Sequence, residues 1–149
     1  MVLTGKPRLL GAFLYSDIHD VKFSVIIYAA PYSSQAATSA YHFTRSVLAQ
    51  GHEIYRLFFF NDGVYNANRL AVPAQDEFNV QQAWDNLIDE HQLDSVVCVS
   101  SALRRGIVDA SESGRYALNA VSLSDKSSLS GLGQLVDAGV HSDRVINFG

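Results

Sequence analysis

Cys98 is the only cysteine of the chain and the residue best suited to covalent chemistry. It lies in an apolar run, where a lone cysteine is usually a small core residue. Two cations, Arg104 and Arg105, follow in the next segment. A nearby cation favours thiolate over thiol and lowers the pKa of a cysteine below about 8.5. The pattern predicts an accessible, reactive thiolate, although either arginine could instead pair with an acid or a partner.

The spacing of Cys98 and Arg104 also matches Cys-x5-Arg, with which cysteine phosphatases fold an anion-binding loop around a thiolate. Three features depart from that pattern. Val97 stands where such enzymes usually have histidine, the five intervening residues include no glycine, and Arg105 replaces the usual serine or threonine. Phosphate-ester hydrolysis is therefore the weaker alternative.

A polar segment, residues 61–68, follows the apolar run 57–60. One interpretation is a capped turn. The other is functional, because loops after strands carry sites in α/β folds. On the second interpretation Tyr65, Asn66 and Asn68 form a pocket rim or a partner surface.

Other common sites are not indicated by the sequence. The five histidines show no metal-ligand spacing, and one cysteine cannot complete a thiolate zinc site, so no metal is predicted. Gly131 and Gly133 lack the third glycine and the preceding strand of a dinucleotide fingerprint. No cofactor is predicted.

Composition restricts the remaining classes. The net charge of -4 argues against a broad nucleic-acid-binding face. A single cysteine cannot form an internal disulfide, and no run of about 18 apolar residues indicates a membrane span. We expect a soluble globular protein.

Strand and helix patterns alternate along the chain, which predicts right-handed crossovers. The predicted elements are a strand at 22–28, a helix at 35–50, a strand at 53–60, a short irregular or helical segment at 64–70, a helix at 80–88, a strand at 95–99, a loop at 100–106, a helix at 113–120, a loop at 122–130, a helix at 129–138 and a strand at 144–148. Asn79 is the expected N-cap of the helix at 80–88, and Gly139 the expected stop after 129–138. The fold class is α/β, one domain with a mostly parallel sheet flanked by helices on both faces.

Residues 1–21 are expected to be an N-terminal extension that is not part of the native fold, and 22–149 the domain. Lys6 and Arg8 precede a short apolar run, but acidic residues follow where a secretory signal would have its cleavage site. A non-standard start at Val21 is the favoured explanation.

Several ordered motifs resemble the TusD/DsrE family of sulfurtransferase subunits over 22–148. They are Gly63-Val64-Tyr65-Asn66-Ala67-Asn68, Asp76-Glu77-Phe78 with Ala83-Trp84, Cys98 followed by Ala102-Leu103-Arg104-Arg105-Gly106, Leu129-Ser130-Gly131-Leu132-Gly133, and Asp143-Arg144-Val145.

The resemblance implies a cytoplasmic sulfur-relay subunit that holds persulfide sulfur on Cys98 without a cofactor. It further implies a heterohexamer with two related sister subunits, an upstream and a downstream sulfur-carrier protein, and a role in 2-thiolation of the tRNA wobble uridine. Direct contact with nucleic acid is not expected. A related branch of the family serves dissimilatory sulfur oxidation, and the sequence separates the two branches poorly.

Overall fold

Five parallel strands form one sheet in the computed structural model, which describes residues 20–149. The strands are β1 (Lys22–Ile27), β2 (Glu53–Phe59), β3 (Ser95–Cys98), β4 (Ser128–Ser130) and β5 (Arg144–Phe148). Their order across the sheet is β4-β3-β2-β1-β5, and every neighbouring pair is parallel. The predicted α/β class with a parallel sheet is confirmed. The expected extension lies outside the described residues, apart from its last two positions.

Helices connect the strands as parallel topology requires. They are α1 (Ala36–Ala49), α2 (Val80–His91), α3 (Val99–Leu103), α4 (Ala110–Arg115) and α5 (Gly133–His141), with a 3-10 segment at Asn61–Ala67. The predicted cap of α2 is confirmed, because the Asn79 side chain accepts a hydrogen bond from the backbone N–H of Gln82 at 3.0 Å. No helix within residues 20–149 is both long and apolar enough to cross a membrane.

Alternation along the strands divides the buried side chains between two faces of the sheet. Val25, Leu57 and Val97 belong to the larger cluster, together with buried residues of α1 and α2 such as Trp84. The second face carries a smaller apolar cluster of four buried residues, Ile26, Phe58, Val96 and Cys98. Tyr28 and Phe60, which follow β1 and β2, and Leu135 of α5 pack against this cluster. Helices therefore lie on both faces, as predicted.

Arg56 of β2 binds α5 to the second face of the sheet through hydrogen bonds and an ion pair. Its guanidinium donates to the backbone carbonyl of Gln134 at 2.9 Å and pairs with Asp137 at 2.7 Å and with Asp94 at 2.6 Å. The Arg56 side chain is mostly buried, and an unpaired buried guanidinium would be costly to desolvate. These contacts compensate that cost. This arrangement fixes the helix that lies on the same face as Cys98.

Three predicted elements in the second half of the chain are wrong or displaced. Residues 128–130, expected as a loop and then a helix start, form β4, because they pair with the edge of β3 in register Val97↔Leu129. The helix begins at Gly133 and runs through Gly139, the expected stop. The predicted helix at 113–120 lies at Ala110–Arg115, where the Asp109 side chain caps the backbone N–H of Glu112 at 2.8 Å.

Candidate active site around Cys98

Cys98 is the last residue of β3, at the carboxyl edge of the parallel sheet where sites in α/β folds lie. The segment after it, predicted as a loop at 100–106, instead turns directly into α3 at Val99. Cys98 thus occupies the N-cap position of a helix, with extended backbone angles of φ -60° and ψ 117°. The second and third helical positions, Ser100 and Ser101, are the ones whose donors turn towards an N-cap side chain.

The two serines set the protonation of the thiol. Burial alone raises the pKa of Cys98, but hydrogen bonds from the side chains and backbone of Ser100 and Ser101 outweigh burial, so the pKa is lowered. The contact with full hydrogen-bond geometry joins the sulfur to the Ser100 hydroxyl oxygen at 3.4 Å. Since a hydroxyl hydrogen can rotate towards an anion, this contact favours the thiolate.

Access to the sulfur is more restricted than the sequence predicted. Cys98 is 1% exposed, so the expectation of an accessible thiol is wrong for the isolated chain. The burial is shallow, because the neighbouring Ser100 is itself exposed.

The arginines are not placed as the sequence suggested. Arg105 donates from Nε to Asp62 at 2.8 Å and from a terminal nitrogen to the carbonyl of Ser101 at 3.1 Å. Arg104 is exposed on the surface. The largest influences on the Cys98 pKa are burial and the two serines. Direct stabilisation of the thiolate by either arginine stays a prediction. The alternative, that one of the arginines pairs with an acid, holds for Arg105, which pairs with Asp62.

The polar segment predicted as a pocket rim is the 3-10 segment, which packs against β3 and α3. Asn66 is buried and donates to the carbonyls of Ala29 at 2.9 Å and Gly63 at 2.8 Å, so it braces the segment from within. Tyr65 is half-buried against the larger cluster, and the Asn68 side chain accepts from the N–H of the nearby residue 70 at 3.0 Å. A partner surface at Tyr65 and Asn68 remains a prediction.

A helix in place of a loop bears on the phosphatase alternative. Residues 99–103 form α3, so their backbone does not wrap around an anion. Arg104 extends from the end of that helix and is exposed. The geometry therefore does not support an anion cradle around Cys98. Within residues 20–149, no group of three or more histidine, cysteine, aspartate or glutamate side chains could hold a metal ion.

Sequence reasoning missed Ser100, Ser101 and Asp62 as parts of the site. The serines had a recognisable signal, because two hydroxyl residues follow the cysteine at the point where a buried strand ends. Asp62 had none: it contacts Arg105 across 43 residues of chain. Only the fold brings these two side chains together.

The fold and site define a small parallel α/β domain with one cysteine, of lowered pKa, at a strand end. The profile of the DsrE/DsrF-like family matches residues 21–148, and the chain belongs to that family. The resemblance drawn from the ordered motifs is confirmed.

Two known proteins illustrate the relationship. The chain is 46% identical over 129 residues to a protein of Allochromatium vinosum named "Putative sulfurtransferase DsrE", covering 87% of this chain and 99% of that one. The crystal structure of the ychN protein from E. coli aligns with a TM-score of 0.68 at 20% identity, covering 87% of this chain and 100% of that one. At that identity the likeness establishes the fold alone.

Proposed function

We propose that this chain, a sulfurtransferase of the DsrE/DsrF-like family, accepts persulfide sulfur on Cys98 and passes it to a downstream carrier thiol. The observation that carries the proposal is the strand-end cysteine whose thiolate is favoured by Ser100 at 3.4 Å. Thiolate is the form that attacks sulfur, and a lowered pKa increases its share at neutral pH.

The transfer consists of two balanced exchanges at sulfur. The Cys98 thiolate attacks the outer sulfur of the donor persulfide, a new S–S bond forms, the donor's S–S bond breaks, and the donor leaves as a thiolate. The acceptor thiolate then attacks the outer sulfur on Cys98, which leaves as a thiolate in turn. Each step exchanges one S–S bond for another, so no external oxidant, reductant or cofactor takes part.

The partners follow from the chemistry and from family membership. A thiol that is 1% exposed can be protected from small solutes until a docking protein opens the site. We propose an upstream carrier that delivers sulfur, a downstream carrier that removes it, and two related sister subunits in a cytoplasmic heterohexamer. The acidic balance of -4 fits a relay in which this chain does not touch nucleic acid.

Two pathways are candidates for the sulfur. The first is 2-thiolation of the tRNA wobble uridine, implied by the likeness to sulfur-relay subunits. The second is dissimilatory sulfur oxidation, implied by the resemblance to a related branch of the family. Deleting the gene and measuring 2-thiouridine in bulk tRNA alongside the oxidation of stored sulfur separates them. Loss of 2-thiouridine alone supports the first pathway, and loss of sulfur oxidation alone supports the second.

Persulfide formation is tested by incubating the protein with a cysteine desulfurase and its carrier and measuring intact mass. Wild type gains the mass of one sulfur, and Cys98→Ser gains none. Ser46→Ala, a substitution at an exposed serine of α1, is the matched control and loads like wild type. Cys98-dependent hydrolysis of an aryl phosphate without sulfur uptake would overturn the proposal in favour of the phosphatase alternative.

A further inference from the structure

An ion pair joins the start of the 3-10 segment to the end of α3. Arg105 Nε lies 2.8 Å from Asp62 Oδ1, and the same guanidinium donates to the carbonyl of Ser101 at 3.1 Å. Arg105 is thus held between a carboxylate on one element and a backbone oxygen on another. A planar guanidinium with several fixed donors is suited to bridging two acceptors in this way.

A second contact joins the 3-10 segment to the same turn of α3. The backbone N–H of Asn61 donates to the Ser101 hydroxyl oxygen at 3.2 Å. Ser101 is 5% exposed, and its hydroxyl, with the oxygen already accepting, has its hydrogen free to donate elsewhere. Ser101 is the third helical position after the N-cap Cys98, and its neighbour Ser100 has its hydroxyl oxygen 3.4 Å from the Cys98 sulfur.

We infer that Asp62 and Arg105 are positioning residues, an ion pair that fixes the first turn of α3 and thereby keeps the Ser100 hydroxyl directed at the Cys98 sulfur. The inference deepens the proposed function and rests on it. The pair acts on Cys98 through Ser100, and neither side chain of the pair is required to touch the sulfur.

The alternative is that the charges of Asp62 and Arg105 act directly on the Cys98 thiolate. The two roles predict shifts of the Cys98 pKa in opposite directions when the Asp62 carboxylate is removed. If the charges act on the thiolate directly, removing the carboxylate of Asp62 lowers the Cys98 pKa, because an anion nearby disfavours a thiolate. Removing the charge of Arg105 raises it. If the pair positions Ser100, breaking it from either side raises the pKa. Asp62→Asn therefore separates the two roles.

The other charged side chains near the site are the same in wild type and in the Asp62 and Arg105 variants. The charged or titratable side chains on the elements packed around Cys98 are Lys22 of β1 and Tyr28 after it, Glu53, Tyr55 and Arg56 of β2, Asp62 and Tyr65 of the 3-10 segment, Arg104 and Arg105 after α3, and Asp137 and His141 of α5. β3 and β4 contribute no charged side chain. Arg56 and Asp137 are paired with each other, and His141 lies 3.0 Å from Asp137.

The experiment follows thiolate formation by ultraviolet absorbance against pH, with Cys98→Ser subtracted. The chain has one cysteine, so the difference reports Cys98 alone and needs no reagent to reach it. We expect midpoints raised by about half a pH unit in both Asp62→Asn and Arg105→Gln. The exchanged pair, Asp62→Arg with Arg105→Asp, returns the midpoint towards wild type.

Asp89→Asn is the matched control, because Asp89 is 59% exposed and ion-paired with Lys126, much as Asp62 is 63% exposed and paired with Arg105. It leaves the midpoint unchanged. A lowered or unchanged midpoint in Asp62→Asn overturns the inference. That variant alone decides the matter if Arg105→Gln fails to fold. The absorbance titration contains no sulfur donor, so its result does not depend on sulfur transfer. If wild type takes up no sulfur in the separate mass experiment, the proposed function is refuted, but the shifts in the Cys98 midpoint still test the positioning role.

Discussion

The Ser100 hydroxyl oxygen lies 3.4 Å from the Cys98 sulfur, across the junction where β3 turns into α3. A cysteine at this junction has a helix turn on one side and an apolar sheet face on the other. The apolar face disfavours the thiolate and the helix turn favours it. The balance between them decides whether the thiol is an inert core residue or a nucleophile.

Ser100→Ala tests that balance. Removing the hydroxyl leaves the burial of Cys98 and deletes one donor to the thiolate, so the thiol pKa rises. Hydrogen bonds to charged groups contribute about 1.5–3 kcal/mol, which corresponds to an upward shift of about one pH unit or more. The midpoint is measured by thiolate absorbance against pH.

Ser46→Ala is the matched control for this shift, and Ser100→Thr, which keeps a hydroxyl, retains most of the lowered pKa. A midpoint in Ser100→Ala equal to that of wild type would show that the hydroxyl does not stabilise the thiolate.

Gly63→Ala should destabilise the protein. A Cβ at Gly63 would lie 1.8 Å from the carbonyl oxygen of Ile27, so the 3-10 segment would have to move away from the end of β1. Such overpacking costs about 1–3 kcal/mol in the free energy of unfolding. Urea denaturation followed by circular dichroism measures the change.

Gly139→Ala provides the opposite control. Gly139 lies in α5 with nothing within 4 Å of an added Cβ, so alanine lowers the chain entropy of the unfolded state and improves helix propensity. We expect a gain of about 0.5–1 kcal/mol. Equal effects of the two substitutions would contradict the close packing assigned to Gly63.

Stability should fall in acid partly through Asp137. A hydrogen bond from the Tyr55 hydroxyl, followed by contacts with Arg56, holds the pKa of Asp137 below its usual value despite some desolvation. Because the folded pKa is depressed, the contribution is fully present above about pH 4 and is lost as pH falls through the folded pKa. Unfolding free energies measured across this range show the loss.

Tyr55→Phe isolates the effect of that hydrogen bond. It removes the hydroxyl and keeps the ring, so the Asp137 pKa moves back towards its usual value and the acid-dependent part of the stability shrinks. An unchanged dependence of stability on pH in Tyr55→Phe would exclude this hydrogen bond as its source.

Local patterns predicted the first half of the fold well. The run of β-branched residues at β1 and the apolar stripe of α2 are strong signals, and Asn79 caps α2 as its side chain predicts. β4 was missed because three residues are too few to show alternation. Its strand geometry comes from pairing with β3, which lies about thirty residues earlier in the chain.

The site was predicted unevenly for the same reason. Cys98 at a strand end follows from sequence, because an apolar run and its end are local features. The expected partners of its sulfur were the arginines, but charge alone does not give direction: Arg105 turns to Asp62. The serines lower the Cys98 pKa because β3 ends at Cys98 and α3 begins at the next residue. The predicted strand was one residue longer. A shift of one residue changed which side chains face the sulfur.

The last prediction separates the acidity of Cys98 from its accessibility. The lowered pKa supplies thiolate, but a residue that is 1% exposed reacts only when the side chains packed around it move apart. An opening cost of only about 1.4 kcal/mol would slow the reaction roughly tenfold. Iodoacetamide should therefore modify Cys98 at least about tenfold more slowly than free glutathione at equal thiolate concentration, and a bulky maleimide should be slowed further.

Thiolate absorbance supplies the thiolate concentration for each sample, so differences in pKa do not enter the comparison. Mild urea, below the unfolding transition, is expected to raise the iodoacetamide rate if the opening is local. Ser46→Ala again serves as the control and matches wild type with both reagents. Rates equal to those of glutathione for both the small and the bulky reagent would show that the sulfur is exposed in solution, and the requirement for a docking partner to open the site would then be withdrawn.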